Sequence, residues 1–261
     1  MFLNPQDSSV CMSLLLKNKL AVVTGASGDI GSSVAFLLAQ QGAKVIATYN
    51  MGSERAKLIQ EKADSQGFDL RTAHLDVGDE TGVRRFFAET ETRGKALDIL
   101  VNVAGHSDKR VWYSKPEELT SKDWLEVLNV DLVGSFNCSV QAAKSMMKGS
   151  GGSIVNFSSA AGVTGHTEGL PYTAAKAALL TITKSLAYIY GPRVRVNAVA
   201  PGNIQGGSIK WAGPEEVKRL ESEAALKRLG TTLEVANAVL FLVSDLSSFV
   251  TGQTLLVDGG I

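Results

Sequence analysis

Short apolar, β-branched runs alternate along this chain with longer stretches of helical period. The runs Leu20–Thr24, Lys44–Thr48, Leu70–Leu75, Asp98–Val101, Ser153–Phe157, Arg193–Val199 and Thr254–Val257 read as strands, each followed by glycine, polar residues or a helix start. Between them, Ile30, Val34, Leu37 and Leu38 share one helix face. A later helix lines up Ala175, Leu179, Ile182, Leu186 and Ile189 at steps of four and three. Strands alternating with helices in this way form βαβ units, whose crossovers require a parallel sheet. The pattern therefore predicts an α/β fold, a doubly wound sheet of seven parallel strands with helices on both faces. The apolar helix stripes are core or subunit interface.

No internal repeat, low-complexity tract or linker divides the chain, and GSGGS at 149–153 reads as a helix-to-strand turn. At 261 residues and 44% hydrophobic content the chain can bury one substantial core, so a single domain from residue 18 to 261 is expected. Residues 1 to about 17 read as a flexible tail. Its apolar run is too short for a membrane span and lacks the basic flank of a signal peptide. Met12 is an alternative start, because MSLLLKNKL leads directly into the first strand.

Lys+Arg and Asp+Glu both number 26, so no net positive field exists to hold nucleic acid or an anionic membrane. Cys11 and Cys138 lie far apart, and with three scattered histidines they give neither metal-ligand spacing nor a disulfide framework. A reducing cytoplasm is the expected location.

Two segments carry chemistry. TGASGDIG, Thr24 to Gly31, falls between the first strand and its helix. Glycines there allow close approach of a pyrophosphate, and the helix start offers unpaired N–H groups to the anion. Further on, Tyr172 and Lys176 in YTAAK stand at i and i+4, on one helix face, with Ser159 thirteen residues before the tyrosine. An ammonium beside a phenol favours the phenolate, which makes a general acid/base.

TGASGDIG, NVAG at Asn102–Gly105, Ser159, YTAAK and NAVAPG at Asn197–Gly202 resemble the short-chain dehydrogenase/reductase family in order and spacing, from about residue 18 to the C-terminus. LVSDLSSFVTGQTLLVDGG resembles the C-terminal signature of its branch of 3-oxoacyl-thioester reductases and glucose or alcohol dehydrogenases. The resemblance implies a Rossmann-type sheet and reversible hydride transfer between a nicotinamide dinucleotide and a ketone or secondary alcohol. It makes Tyr172 the proton donor, Ser159 the group that polarises the carbonyl, and Lys176 the residue that activates the tyrosine and binds ribose hydroxyls. It assigns the dinucleotide to Gly25, Ser27, Gly28, Asp29, Ile30 and Gly31, then to Tyr49, Asn50, Asp76, Val77, Asn102, Ala104, Gly105, Pro201, Gly202 and Ile204, together with Tyr172 and Lys176. A homotetramer is the family expectation.

Four positions depart from the family pattern. Asp29 stands where the glycine loop usually has glycine. At an effective dielectric of 20, a carboxylate ~4 Å from a phosphate costs about 4 kcal/mol, so Asp29 is expected to turn away and cap the helix instead. In WLEVLNVDLVGSF, Asp131 holds the place of the family's catalytic asparagine and would pair with Lys176 if the two came close. Val103 replaces a second asparagine. Gly206 replaces a threonine that would hold the carboxamide, through loop flexibility or a shifted binding mode, with Ser208 a compensating candidate.

Tyr49 ends the second predicted strand, where enzymes using NAD commonly carry a carboxylate. With Asn50, Ser53 and Arg55 following, NADP(H) is favoured and NAD(H) is the alternative. The substrate pocket is expected among Ser159–Gly165, the segment after Gly105, and the loop Asn203–Gly213 with Ile209 and Trp211. His106 and His166 read as polar loop residues, and Lys109 and Arg110 as a solvated pair or an attractor for an anionic or carrier-linked substrate. A 3-oxoacyl thioester is the first candidate substrate and a sugar or polyol the second. The competing class is a non-catalytic nucleotide-binding sensor or scaffold.

Overall fold

The computed structural model describes residues 14–91 and 96–261. Seven parallel strands form one sheet: β1 (Leu20–Thr24), β2 (Lys44–Tyr49), β3 (Leu70–His74), β4 (Ile99–Asn102), β5 (Gly152–Phe157), β6 (Val194–Pro201) and β7 (Thr254–Val257). Their spatial order is β3-β2-β1-β4-β5-β6-β7. The expected strands are all present, with edges displaced by at most two residues.

The side-chain alternation of β1 explains why a parallel sheet reads as an unbroken apolar run. Ala21 and Val23 enter one core, where α1 (Asp29–Gln40) packs beside α10 (Thr232–Val243) through Val34, Leu38, Val235 and Val239. Val22 points to the opposite face, into a core that includes Phe87 of α3 (Glu80–Glu91), Met146 of α6 (Ser135–Lys148) and Leu186 of α8 (Leu170–Tyr190). α2 (Ser53–Ser65) joins β2 to β3. Among the described residues four further α-helices are α4 (Lys109–Tyr113), α5 (Ser121–Leu128), α7 (Ala160–Thr164) and α9 (Pro214–Glu223). Reciprocal capping boxes, Thr120 with Asp123 and Thr231 with Glu234, start α5 and α10.

One expectation is corrected. Of the supposed tail, residues 1–13 and the alternative start Met12 lie outside the described residues. Leu14–Lys17, however, leads into the fold: Leu16 is buried and its N–H donates to the Gln41 carbonyl at 2.9 Å. On the α8 stripe Ala175, Leu179 and Leu186 are buried in the core, whereas Ile189 is exposed, on the interface side of the core-or-interface expectation.

Successive connections run β1 to β3 in one direction and β4 to β7 in the other, so the chain reverses its winding between β1 and β4. Crossovers diverge there and leave a crevice at the C-terminal strand ends, where ligands of doubly wound sheets bind.

Candidate active site

The strand end of β5 delivers two serines with different employment. Ser158 is buried and donates from Oγ to the Lys176 carbonyl at 2.7 Å, which fastens α8 to the sheet. Ser159 is the N-cap of α7, its Oγ accepting the Ala161 N–H at 3.2 Å, and it faces a cavity of roughly 380 Å³. Pro171 in the first turn of α8 sets the start of the helix that brings Tyr172 and Lys176 to the same cavity. The Lys176 Nζ lies 5.3 Å from the centroid of the Tyr172 ring.

Between α5 and α6 the backbone widens into a π-helical segment, Asn129–Gly134. Such bulges insert a residue into a helix and re-aim its side chains. Here the turn directs Asp131 inward, where it is fully buried and also lines the cavity. Its Oδ2 accepts the His106 N–H at 2.7 Å, and its Oδ1 forms an ion pair with Lys176 Nζ at 2.9 Å, off the direction of a good hydrogen bond. Burial pushes the Lys176 ammonium toward neutrality. The Asp131 carboxylate, followed by Tyr172, more than offsets that push and holds the lysine above its ordinary range.

A carbonyl oxygen placed between the Ser159 and Tyr172 hydroxyls would receive two hydrogen bonds, and a proton from one of them. The family model described as enoyl-(acyl carrier protein) reductase matches residues 25–261. The 3-oxoacyl-(acyl-carrier-protein) reductase FabG of Aquifex aeolicus is 37% identical over 96% of this chain and 100% of its own length. The chain belongs to the short-chain dehydrogenase/reductase family. The reductase of the same name from Staphylococcus aureus strain Mu50 is 34% identical over 93% of this chain and 98% of its own. A crystal structure described as a putative gluconate dehydrogenase from Agrobacterium tumefaciens superposes with TM-score 0.88 at 28% identity, covering 95% of this chain and 97% of the other. The protein is thus an NAD(P)-dependent oxidoreductase of ketones.

As a short-chain dehydrogenase/reductase it requires a seat for a nicotinamide dinucleotide, and the residues present fit one. The α1 N-terminus follows Gly28 as N-cap and no side chain caps it, so its N–H groups are available to an anion. The loop is drawn tight. Gly25 has φ of 64°, and a Cβ there would stand 2.7 Å from the Ala104 Cα. Gly31 likewise permits α1 to start against the backbone of Gly25 and Ala26. Thr24 Oγ1 joins this loop to the strand-end loop of β4, accepting the N–H groups of Val103 and Ala104 at 3.1 and 3.2 Å.

Of the other assigned residues, Ile30, Gly105, Pro201, Gly202 and Ile204 line the same cavity as Ser159, Tyr172, Lys176 and Asp131. Ser27, Tyr49 and Asn50 lie toward the strand end of β2, where Tyr49 packs edge-on against His74 at 5.8 Å between centroids. Asp76 accepts the Gly78 N–H at 2.9 Å as a turn residue, and Val77 is buried against Gly134.

Two residues behave differently from the sequence expectation at the side chain. The Asn102 side chain is buried and donates to Ser135 O, Ser139 Oγ and Asn156 Oδ1 at 2.9 to 3.1 Å, tying β4 to β5 and α6 and leaving only its backbone for the dinucleotide. Asp29 does not cap α1, since it occupies the first helical position and its carboxylate points outward. Oδ1 pairs with Arg55 at 2.6 Å and Oδ2 accepts the Gly207 N–H at 3.0 Å. This arrangement also accounts for Gly206. Its φ is 89°, and a Cβ on it would stand 2.6 Å from Asp29 Oδ2. The two departures from the family pattern are therefore one packing unit.

Several cleft residues carried no sequence signal. Trp112 of α4 packs against the Tyr172 ring, centroids 5.4 Å apart, and is held by its Nε1 donating to Glu168 at 2.9 Å. Arg219 and Glu223 of α9 and the terminal Ile261 also reach the cavity. Neither periodicity nor motif spacing could have placed them, because each arrives through a non-local connection. Arg110 is paired with the buried carboxylate of Asp123. Among the described residues no helix is long and apolar enough to cross a membrane.

Proposed function

We propose that this enzyme reduces a 3-oxoacyl thioester with NADPH, with Tyr172 as the proton donor. In this reading Ser159 hydrogen-bonds the carbonyl oxygen, Lys176 supplies positive charge beside the tyrosine, and Asp131 positions Lys176. The bound dinucleotide supplies the hydride. The observation that carries the reading is the convergence of Ser159, Tyr172 and Lys176 on one cavity, in a chain whose curated relatives bear the name 3-oxoacyl-(acyl-carrier-protein) reductase.

Support for NADPH comes from the strand end of β2, where Tyr49 leaves no carboxylate to repel a 2′-phosphate. A second reading, a sugar or polyol dehydrogenase, draws on the structural likeness to the putative gluconate dehydrogenase and on the polar lining from His106, His166, Asn203 and Ser208. Apolar side chains exposed on α5, α6 and the segment between them (Leu125, Val133, Phe136) and on α10 and β7 (Leu233, Phe241, Leu256) support a homotetramer. The paucity of cysteines supports a cytoplasmic home.

The test is consumption of NADPH with acetoacetyl-coenzyme A, set against formation of NADPH from NADP+ with a panel of sugars and polyols. Turnover of the thioester that disappears in Tyr172→Phe supports the first reading. Turnover confined to polyols replaces it with the second.

A further inference from the structure

The segment from the end of β2 through the first turn of α2, Tyr49 to Ala56, contains a single cation, Arg55. Gly52, at φ of 87°, turns this connection so that the first turn of α2 approaches the glycine loop, and Ser27 Oγ donates to the Met51 carbonyl at 3.3 Å. Arg55 is thereby brought against Asp29, Nη2 to Oδ1, at 2.6 Å. The carboxylate is committed twice, since its other oxygen holds Gly207 N–H. Gly207 first, and Arg55 after it, keep the Asp29 carboxyl below the usual carboxylate range, so the pair stays ionised through neutral pH.

We propose that Asp29 is a cofactor-specificity residue: by engaging Arg55, it withholds from a 2′-phosphate the one cation between the end of β2 and the close of the first turn of α2, and so limits discrimination between NADPH and NADH. The proposal rests on the dinucleotide reading of the cleft and concerns this chain's own departure from the glycine loop. A phosphate carrying nearly two negative charges would meet Arg55 only by competing with a carboxylate already in place. The pair is accessible enough to be altered, with side-chain exposures of 54% for Arg55 and 33% for Asp29.

The test is the ratio of dissociation constants for NADPH and NADH, measured by fluorescence titration on the wild type, Asp29→Asn, Arg55→Ala and the double variant. Asparagine preserves the shape and the acceptor for Gly207, so changes in that loop fall on both cofactors and cancel in the ratio. Asp29→Asn is expected to move the ratio toward NADPH by at least about fivefold at low salt, and by less as ionic strength rises. Arg55→Ala is expected to weaken NADPH selectively, and the double variant to match Arg55→Ala. Equal changes for the two cofactors, or a shift toward NADH, would overturn the inference while leaving the enzyme reading intact. Binding of neither cofactor by the wild type would overturn both.

Discussion

Lys176 and Asp131 form a buried ion pair, Nζ to Oδ1 at 2.9 Å, with side-chain exposures of 4% and 0%. The family pattern has a neutral asparagine at this position, so the pair divides the ammonium's charge between Tyr172 and a carboxylate. Replacing Asp131 by asparagine removes what holds Lys176 above its ordinary range, so the lysine loses its proton earlier on the alkaline side. The pH–rate profile of Asp131→Asn is expected to move toward acid, by about one unit if the pair contributes ~1.4 kcal/mol. An unmoved profile would remove Asp131 from the proton-transfer machinery. Asp131→Ala, which strands a buried ammonium and frees the His106 N–H, is expected to cost about 3–5 kcal/mol in chemical denaturation.

Tyr172→Phe keeps the ring that packs on Trp112 and deletes only the hydroxyl. General acid catalysis contributes about 10²–10⁴ in rate, so kcat should fall by that range while NADPH affinity changes by less than about threefold. A comparable loss of affinity would assign the hydroxyl to cofactor binding instead.

The fold was legible because the inner strands of a parallel sheet are buried on both faces and bounded by turns, whereas β7 at the edge keeps Leu255 and Leu256 exposed. Ala21, Val22 and Val23 serve two cores at once, and that requirement writes an apolar run into the chain. Ser159, Tyr172 and Lys176 were legible because a local spacing on β5 and α8 fixes their relative positions. Trp112, Arg219 and Ile261 were not, since they meet the cavity only after three separate connections fold back on it. Asn102 shows what a motif leaves out: its side-chain amide is spent on Ser135, Ser139 and Asn156 inside the core, a role that the spacing of the motif does not express. Asp29 was expected to satisfy the helix it begins, yet the neighbouring Arg55 and Gly207 offered its carboxylate better partners.

At α10, Thr231 and Glu234 form the capping box and Arg228 pairs with the same carboxylate, which holds Glu234 down to about 2. The causes are Arg228 first and then the Thr231 N–H and hydroxyl. A carboxyl whose folded value lies below its unfolded value near 4.5 stabilises the fold fully above that value. Its contribution disappears as pH falls toward 2. Denaturation measured between pH 7 and pH 2 should therefore show a steeper acid loss in the wild type than in Glu234→Gln. Parallel curves would mean that the cap contributes nothing. Thr231→Ala, which removes the cap's acceptor for the Glu234 N–H, is expected to cost about 1 kcal/mol at neutral pH.

Gly31 tests the cradle without touching a charged group. An alanine Cβ there would stand 2.9 Å from the Ala26 Cα and collide with the Gly25 carbonyl oxygen, both backbone atoms of the same tight turn. Neither can yield as a side-chain tip can, so α1 must move away from the loop that it closes. Over-packing of this kind costs about 1–3 kcal/mol, and the displacement carries the N-terminal N–H groups of α1 off their line to an anion. Gly31→Ala should therefore lower the melting temperature and weaken NADPH and NADH equally, by tenfold or more on the order of the ~1.4 kcal/mol per decade scale. Because both cofactors share the pyrophosphate, their ratio should stay at the wild-type value, which distinguishes this loop distortion from any change at Asp29 or Arg55. Full retention of binding in Gly31→Ala would show that the dinucleotide does not depend on the α1 N-terminus.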